Sequence, residues 1–239
     1  MRNGDHASAI YELRFSILNS IKSHHLIPQA FILDLDGTLV DTLGDFHAAL
    51  QRVLADLRLP AVSRGFLEKT IGQGSEHLIR SVLAEVGADA DAYEKAWALY
   101  QHHYAEINGE HSALFPGVTE GLERLRATGK PMACLTNKPG AFARELLERK
   151  GIADYFAVVF GGDAFERKKP DPLPLRKTCE ALGTSTEATL MIGDSRNDAA
   201  AAHAAGCPVV LMTYGYNHGE PIREVPALRH LDRLDQLDF

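Results

Sequence analysis

Along this chain, short unbroken apolar runs alternate with amphipathic stretches that begin at proline or serine and end at glycine. The runs AFILDLD (30–36), PMACLTN (131–137), YFAVVFGG (155–162), ATLMIGD (188–194) and CPVVLMTYG (207–215) are each short enough for a strand buried on both faces. Between them lie helical patterns with readable ends. One starts after Pro116 and stops at Gly129, and a second runs from Pro139 to Gly151. A third carries Pro172 and Pro174 in its first turn and Gly183 after its last, and a fourth runs from Ser195 to Gly206. Strand and helix alternating in this way predict an α/β fold with a doubly wound, parallel sheet.

Residues 45–113 break the alternation, because no strand pattern occurs there. Leu50, Val53, Leu54 and Leu57 form one apolar stripe, and Leu78, Ile79, Val82, Leu83 and Val86 form a second. Tyr93, Trp97, Tyr100, Tyr104 and Ile107 form a third, and all three have helical spacing. The reading is an inserted α-helical cap at 45–113, with the core domain in 30–44 and 114–239. The segment KTIGQGSEHL, between the first two stripes, carries Gly72 and Gly74 and permits tight backbone there. It is either an interhelical loop or a loop lowered onto a ligand.

Residues 1–29 precede the first strand as an extension of unknown role. Ile10, Leu13, Ile17 and Ile21 share one helical face there, while Glu12, Arg14 and Lys22 interrupt any secretory apolar segment. No run reaches the ~18 consecutive apolar residues of a membrane span. The net charge of −7 argues against nonspecific binding to nucleic acid or membrane, both anionic. Cys134, Cys179 and Cys207 lack metal-ligand spacing and read as reduced core thiols, which predicts a cytoplasmic location. The pairs His24–His25 and His102–His103 lack i, i+4 spacing and read as surface or packing residues. Oligomeric state is not legible.

The polar residues of interest fall at corresponding places. Asp34 and Asp36 end the first strand, Thr136 and Asn137 the second, and Asp194 the fourth, with Lys169 in the loop after the third. Ligands of open α/β sheets bind outside the carboxyl ends of the strands, so these segments converge on one crevice. Asp34, Asp36 and Asp194 would place three negative charges together, and each pair ~4 Å apart costs roughly 4 kcal/mol at an effective dielectric near 20. Such a cluster calls for a cation, and oxygen ligation with few carboxylates suits Mg²⁺. Lys169 adds a fixed positive charge. Ser195-Arg-Asn-Asp198 resembles a capping box, so Ser195 and Asp198 read as supporting residues that also cap a helix.

In order along the chain, DLDGTLVDT, LTNK, KKPDPLPL and IGDSRND resemble the four motifs of the haloacid dehalogenase (HAD) superfamily, and the helical insert resembles its C1 cap. The segment IGDSRNDAAAAHAAGCPVVLMTYGYNHG is especially similar to the phosphoglycolate phosphatase branch. The resemblance implies a Rossmann-like core and hydrolysis of a small phosphate monoester, 2-phosphoglycolate first among them. It implies Asp34 as nucleophile and Asp36 as general acid and base. Mg²⁺ would be held by Asp34, Asp194 and the Asp36 carbonyl. Thr136 and the Asn137 amide would bind phosphoryl oxygens, with Lys169 offsetting their charge. Gly72 and Gly74 would help read the leaving group, and Arg64 and Lys69 are the cap cations to hand for a substrate carboxylate. A phosphatase for sugar phosphates or nucleotides, a phosphomutase with the same nucleophile, and an inactive binding protein are the alternatives. Dehalogenase and phosphonate-cleaving relatives are disfavoured by Asp36.

Overall fold

The computed structural model of the protein describes residues 27–89 and 91–238. The helical face and the histidine pair expected within residues 1–26 lie outside the described residues. Six strands form one parallel sheet: β1 (Ala30–Leu33), β4 (Met132–Leu135), β5 (Val158–Phe160), β6 (Thr189–Gly193), β7 (Val209–Met212) and β8 (Arg229–Leu231). Their order is β5-β4-β1-β6-β7-β8. All four residues of β1 are fully buried, as a strand covered on both faces requires. The last strand, β8, escapes the sequence pattern because it has three residues and begins Arg-His.

β1 is the point where the winding reverses. The chain lays β4 and β5 on one side of it, then crosses to lay β6, β7 and β8 on the other. Such a reversal opens a crevice at the strands' carboxyl ends. One core layer contains Phe31, Leu33, Val118, Leu122, Leu146 and Ile192. The opposite layer contains Ile32, Leu135, Leu175, Met191, Ala202 and Leu211. Alternate β1 residues thus face opposite layers.

The sheet is flanked by α5 (Val118–Ala127), α6 (Gly140–Arg149), α7 (Leu173–Leu182) and α8 (Arg196–Ala205). The α8 start is fixed by a complete capping box between Ser195 and Asp198, and Gly206 ends the helix in the left-handed conformation.

Between β1 and β4 the chain forms α1 (Leu43–Leu57), α2 (Arg64–Glu68), α3 (Ser75–Glu85) and α4 (Ala92–Ile107). The three expected stripes build α1, α3 and α4, and the short α2 is additional. These helices share their own cluster, including Leu50, Leu54, Ile79, Val82, Tyr100 and Tyr104. Entry to and exit from this insert run side by side as a two-residue antiparallel pair, β2 (Val40–Asp41) and β3 (Ala113–Leu114). The buried Asp45 carboxylate ties them further, accepting from Gly109 N at 2.8 Å and His111 N at 2.6 Å. No helix among the described residues is long and apolar enough to cross a membrane.

Candidate active site

The sheet ladder continues one residue past the strands and so fixes where the polar residues start. Asp34 N donates to Ile192 O at 3.0 Å, and Thr136 N donates to Phe160 O at 3.0 Å. After Asp34 the chain turns tightly, with Leu39 N and Val40 N both bonded to Leu35 O and Gly37 N bonded to Val40 O. Gly37 takes a φ of +87°, and a Cβ there would stand 2.2 Å from Asp194 Oδ2. Backbone thus approaches the Asp194 carboxylate as closely as glycine alone permits.

Asp34, Asp194 and Asp198 are all buried, and each offers an oxygen within 4.8 Å of the others. Asp194 is held at both oxygens: Thr38 Oγ1 donates to Oδ1 at 2.6 Å, and Tyr216 N donates to Oδ2 at 2.6 Å. Asp198 Oδ2 accepts from Asp194 N, Ser195 N and Ser195 Oγ at 3.2, 3.1 and 2.7 Å. Its other oxygen receives Lys169 Nζ at 2.7 Å. The same ammonium donates to Leu135 O at 2.8 Å and lies 3.1 Å from Asp34 Oδ1. Beyond that ion-pair contact, Asp34 Oδ1 has no aligned donor among the described residues.

Burial raises the Asp34 carboxyl to about 7, with Lys169 opposing and Asp198 and Asp36 adding to the rise. Burial likewise pushes Asp194 well above the usual carboxylate range, reinforced by Asp198 and Asp34. Burial works against the Lys169 charge, but Asp198 and Asp34 outweigh it and hold the ammonium above its ordinary range. One ammonium facing three buried carboxylates leaves the cluster short of positive charge. With an Asp34 Oδ1 that meets Lys169 but has no aligned hydrogen-bond donor among the described residues, and an all-carboxylate donor set, the cluster can hold a hard divalent cation.

Asn137 and Lys169 meet at the strand ends through the Asn137 side chain, a contact separate from the role expected of its backbone amide. The Asn137 side chain donates to Gly72 O at 3.0 Å and Lys169 O at 2.9 Å, and accepts from Lys169 N at 3.0 Å. One amide thus joins the end of β4, the Lys169 loop and the insert's glycine loop. Of the basic run, Lys169 is buried, whereas Lys168 is half-exposed and reaches Glu76 at 3.3 Å.

A pocket opens beside this cluster, lined by Asp34, Asp36, Gly72, Gly74, Thr136 and Lys138 among others. Its cavity volume is about 20 Å³, room for about one water. Arg64 and Lys69 do not reach it, and both are exposed. The cation that lines it is Lys138. Its ammonium donates to Asp36 Oδ1 at 3.0 Å and to Tyr104 Oη at 2.6 Å. Sequence reasoning passed over Lys138 because its partners, Asp36 and Tyr104, lie 102 and 34 residues away along the chain. Thr38 and Tyr216, which hold Asp194, were missed as well, as was Gly215, where a Cβ would stand 2.2 Å from Asp194 Oδ2. Their only sequence signal is position, since Gly215 and Tyr216 follow β7 much as Asp194 follows β6.

Residues 31–212 match the family described as haloacid dehalogenase-like hydrolase. The chain belongs to the haloacid dehalogenase-like hydrolases. Within them it is 43% identical over 208 residues to a phosphoglycolate phosphatase of Thiobacillus denitrificans, covering 86% of this chain and 92% of that one. It is 45% identical over 189 residues to the plasmid-borne phosphoglycolate phosphatase of Cupriavidus necator, covering 78% and 81%. A crystal structure from Haemophilus somnus, described as a predicted phosphoglycolate phosphatase, superposes with a TM-score of 0.84 at 33% identity, over 87% of this chain and 95% of that one. With relatives of this kind over most of its length, this haloacid dehalogenase-like hydrolase is an enzyme of the phosphatase type.

Proposed function

We propose that the chain hydrolyses small phosphate monoesters, 2-phosphoglycolate first among them, through an aspartyl-phosphate. The observation that carries this reading is the placing of Asp34, whose buried carboxylate lies 3.1 Å from Lys169 Nζ in a pocket shared with Asp36 and Thr136. An Asp34 carboxylate oxygen attacks phosphorus, and the P–O bond to the alcohol breaks. Asp36 gives its proton to the departing alkoxide, then removes one from the water that attacks the acyl phosphate. Inorganic phosphate leaves and Asp34 is restored. Thr136 Oγ and the Asn137 backbone amide bind phosphoryl oxygens, and Lys169 offsets their charge.

Mg²⁺ fits the carboxylate cluster: the Asp34 and Asp194 side chains and the Asp36 carbonyl would hold it, and it would supply charge neutralisation at nucleophile and phosphoryl group. Asp198 and Ser195 stand behind these ligands and set Lys169 and Asp194. Residues 45–113 act as a cap over the core formed by 30–44 and 114–239, with Gly72 and Gly74 closing on the substrate. The buried free thiols of Cys134, Cys179 and Cys207 favour the cytoplasm.

Release of free phosphate from 2-phosphoglycolate, hexose phosphates and nucleoside monophosphates tests the reading. The highest kcat/KM is expected with 2-phosphoglycolate. Hexose 6-phosphates ahead by orders of magnitude would reassign the substrate, and an isomerised sugar phosphate without free phosphate would make the enzyme a mutase.

A further inference from the structure

The chemistry at phosphorus accounts for Lys169 but leaves a second buried lysine without a task. The Lys138 side chain is 1% exposed. Stripping an ammonium of water costs several kcal/mol, so its surroundings must compensate. Asp36 supplies a carboxylate at 3.0 Å and Tyr104 a phenol at 2.6 Å. The rings of Phe46 and Tyr104 lie 4.5 and 4.7 Å from Nζ, within cation–π reach. An ammonium has three donors, and beyond its two short bonds Nζ makes, among the described residues, only a long one to Asp36 Oδ2 at 3.4 Å.

Position separates the two lysines. Lys169 sits between Asp34 and Asp198, on the side where phosphoryl charge is handled. Lys138 sits against Asp36, whose task is at the leaving oxygen, and against Phe46 and Tyr104 of α1 and α4. Among the described residues lining the pocket it is the one lysine or arginine. The start of α3 also lines the cavity: Gly74 caps the helix without a side-chain bond, and Gly74, Ser75 and Leu78 face the pocket. A helix start presents unpaired amides and partial positive charge. Two positive features therefore line the pocket beside Asp36, where the alcohol portion of the ester would lie.

We propose that Lys138, aided by the α3 amides, binds a carboxylate on the leaving group and so selects phosphate esters of small hydroxy acids over esters of neutral alcohols. This rests on the phosphatase reading above. A carboxylate entering the pocket replaces the long contact to Asp36 Oδ2 and shares the ammonium with Asp36.

The test compares kcat/KM for 2-phosphoglycolate and ethyl phosphate, which lacks the carboxylate, in the wild-type enzyme with Mg²⁺ and in Lys138→Met and Lys138→Arg. Both activities fall in Lys138→Met, since Asp36 loses its partner, so the readout is their ratio. The ratio is expected to drop about tenfold or more, chiefly through KM for 2-phosphoglycolate, and to recover in part in Lys138→Arg. An unchanged ratio would confine Lys138 to holding Asp36 and overturn the proposal. A wild-type enzyme that releases phosphate from both esters equally well would also overturn it. One that hydrolyses no phosphate ester would overturn the phosphatase reading instead. If Lys138→Met does not fold, inhibition of the wild type decides. Glycolate should compete at a concentration roughly tenfold or more below that of ethylene glycol, and equal potency overturns the assignment.

Discussion

Lys169 and Asp198 meet as a fully enclosed ion pair, Nζ to Oδ1 at 2.7 Å, with side chains 2% and 1% exposed. The pair does not touch the pocket through Asp198, yet it decides where the Lys169 ammonium sits relative to Asp34. Asp198 also gathers three donors at its other oxygen, from Asp194 N, Ser195 N and Ser195 Oγ. Removing one member of a buried pair leaves the other as an uncompensated charge. Asp198→Ala is therefore expected to lower stability by about 3–5 kcal/mol, measured by urea denaturation. Asp198→Asn, which keeps the volume and a possible acceptor, should lose less. Equal and small losses in both would show that the pair does not position Lys169.

Gly37 and Asp194 make the second prediction. A Cβ at Gly37 would lie 2.2 Å from Asp194 Oδ2, and φ there is +87°. Gly37→Ala thus combines left-handed strain of roughly 1–2 kcal/mol with direct overlap on a carboxylate expected to hold metal. Because Thr38 and Tyr216 N already fix both Asp194 oxygens, the carboxylate cannot swing aside without breaking a hydrogen bond. Displacing groups that set a ligand typically costs 10–100-fold in metal affinity or activity, so a loss of about that size in apparent Mg²⁺ affinity is expected. Titration of activity against Mg²⁺ would show it, and an unaltered midpoint would place the metal elsewhere.

The third prediction concerns the nucleophile and the cation together. EDTA should abolish turnover and excess Mg²⁺ should restore it, because three buried carboxylates with one ammonium are short of positive charge. Asp34→Asn should remove phosphoenzyme formation and lower kcat by more than roughly 10⁴-fold, since the attacking group is lost outright. Acid-quenched labelling from phosphate-labelled substrate would detect the intermediate. Persistent label on an aspartate in Asp34→Asn would relocate the nucleophile.

The catalytic end of the sheet was legible because its strands are covered on both faces. A wholly apolar run such as β1 that ends in Asp34 and Asp36 has no reason to carry those charges unless they serve a site. Capping chemistry was equally local, and the Ser195–Asp198 box formed as its spacing implied. Contacts made across the molecule were not legible. Lys138 looks like the tail of a strand-end motif until Phe46 and Tyr104 of the insert close around it. Arg64 and Lys69 sit in the insert as plausible carboxylate partners by sequence, yet both face solvent. The Asn137 side chain binds Gly72 and Lys169 and ties three segments together, a role separate from that expected of its backbone amide. Such bridging depends on how loops pack, which no period along the chain records.

That packing also makes the glycine loop sensitive to acid. Gly72 O accepts from Asn137 Nδ2 at 3.0 Å and from Asn197 Nδ2 at 3.3 Å, and Asn197 Nδ2 also lies 3.3 Å from His218 Nε2. With an amide donor on that side, Nε2 is the acceptor and the ring is neutral. Burial lowers the His218 pKa below its usual 6.5, and Arg196 and His77 push it the same way, while a Lys69 backbone contact and Asp198 oppose them. A depressed histidine pKa means that the unfolded chain takes up the proton first as pH falls. The stabilising contribution of neutral His218 is thus present above about pH 6.5 and lost as pH falls below it. Between pH 7.5 and 5.5 the wild-type denaturation midpoint should therefore fall further than that of His218→Gln, which keeps a polar partner for Asn197 but cannot titrate. His203, also depressed by burial, titrates in both proteins and cancels in the comparison. Parallel curves for the two proteins would show that protonation of His218 does not weaken the latch on Gly72.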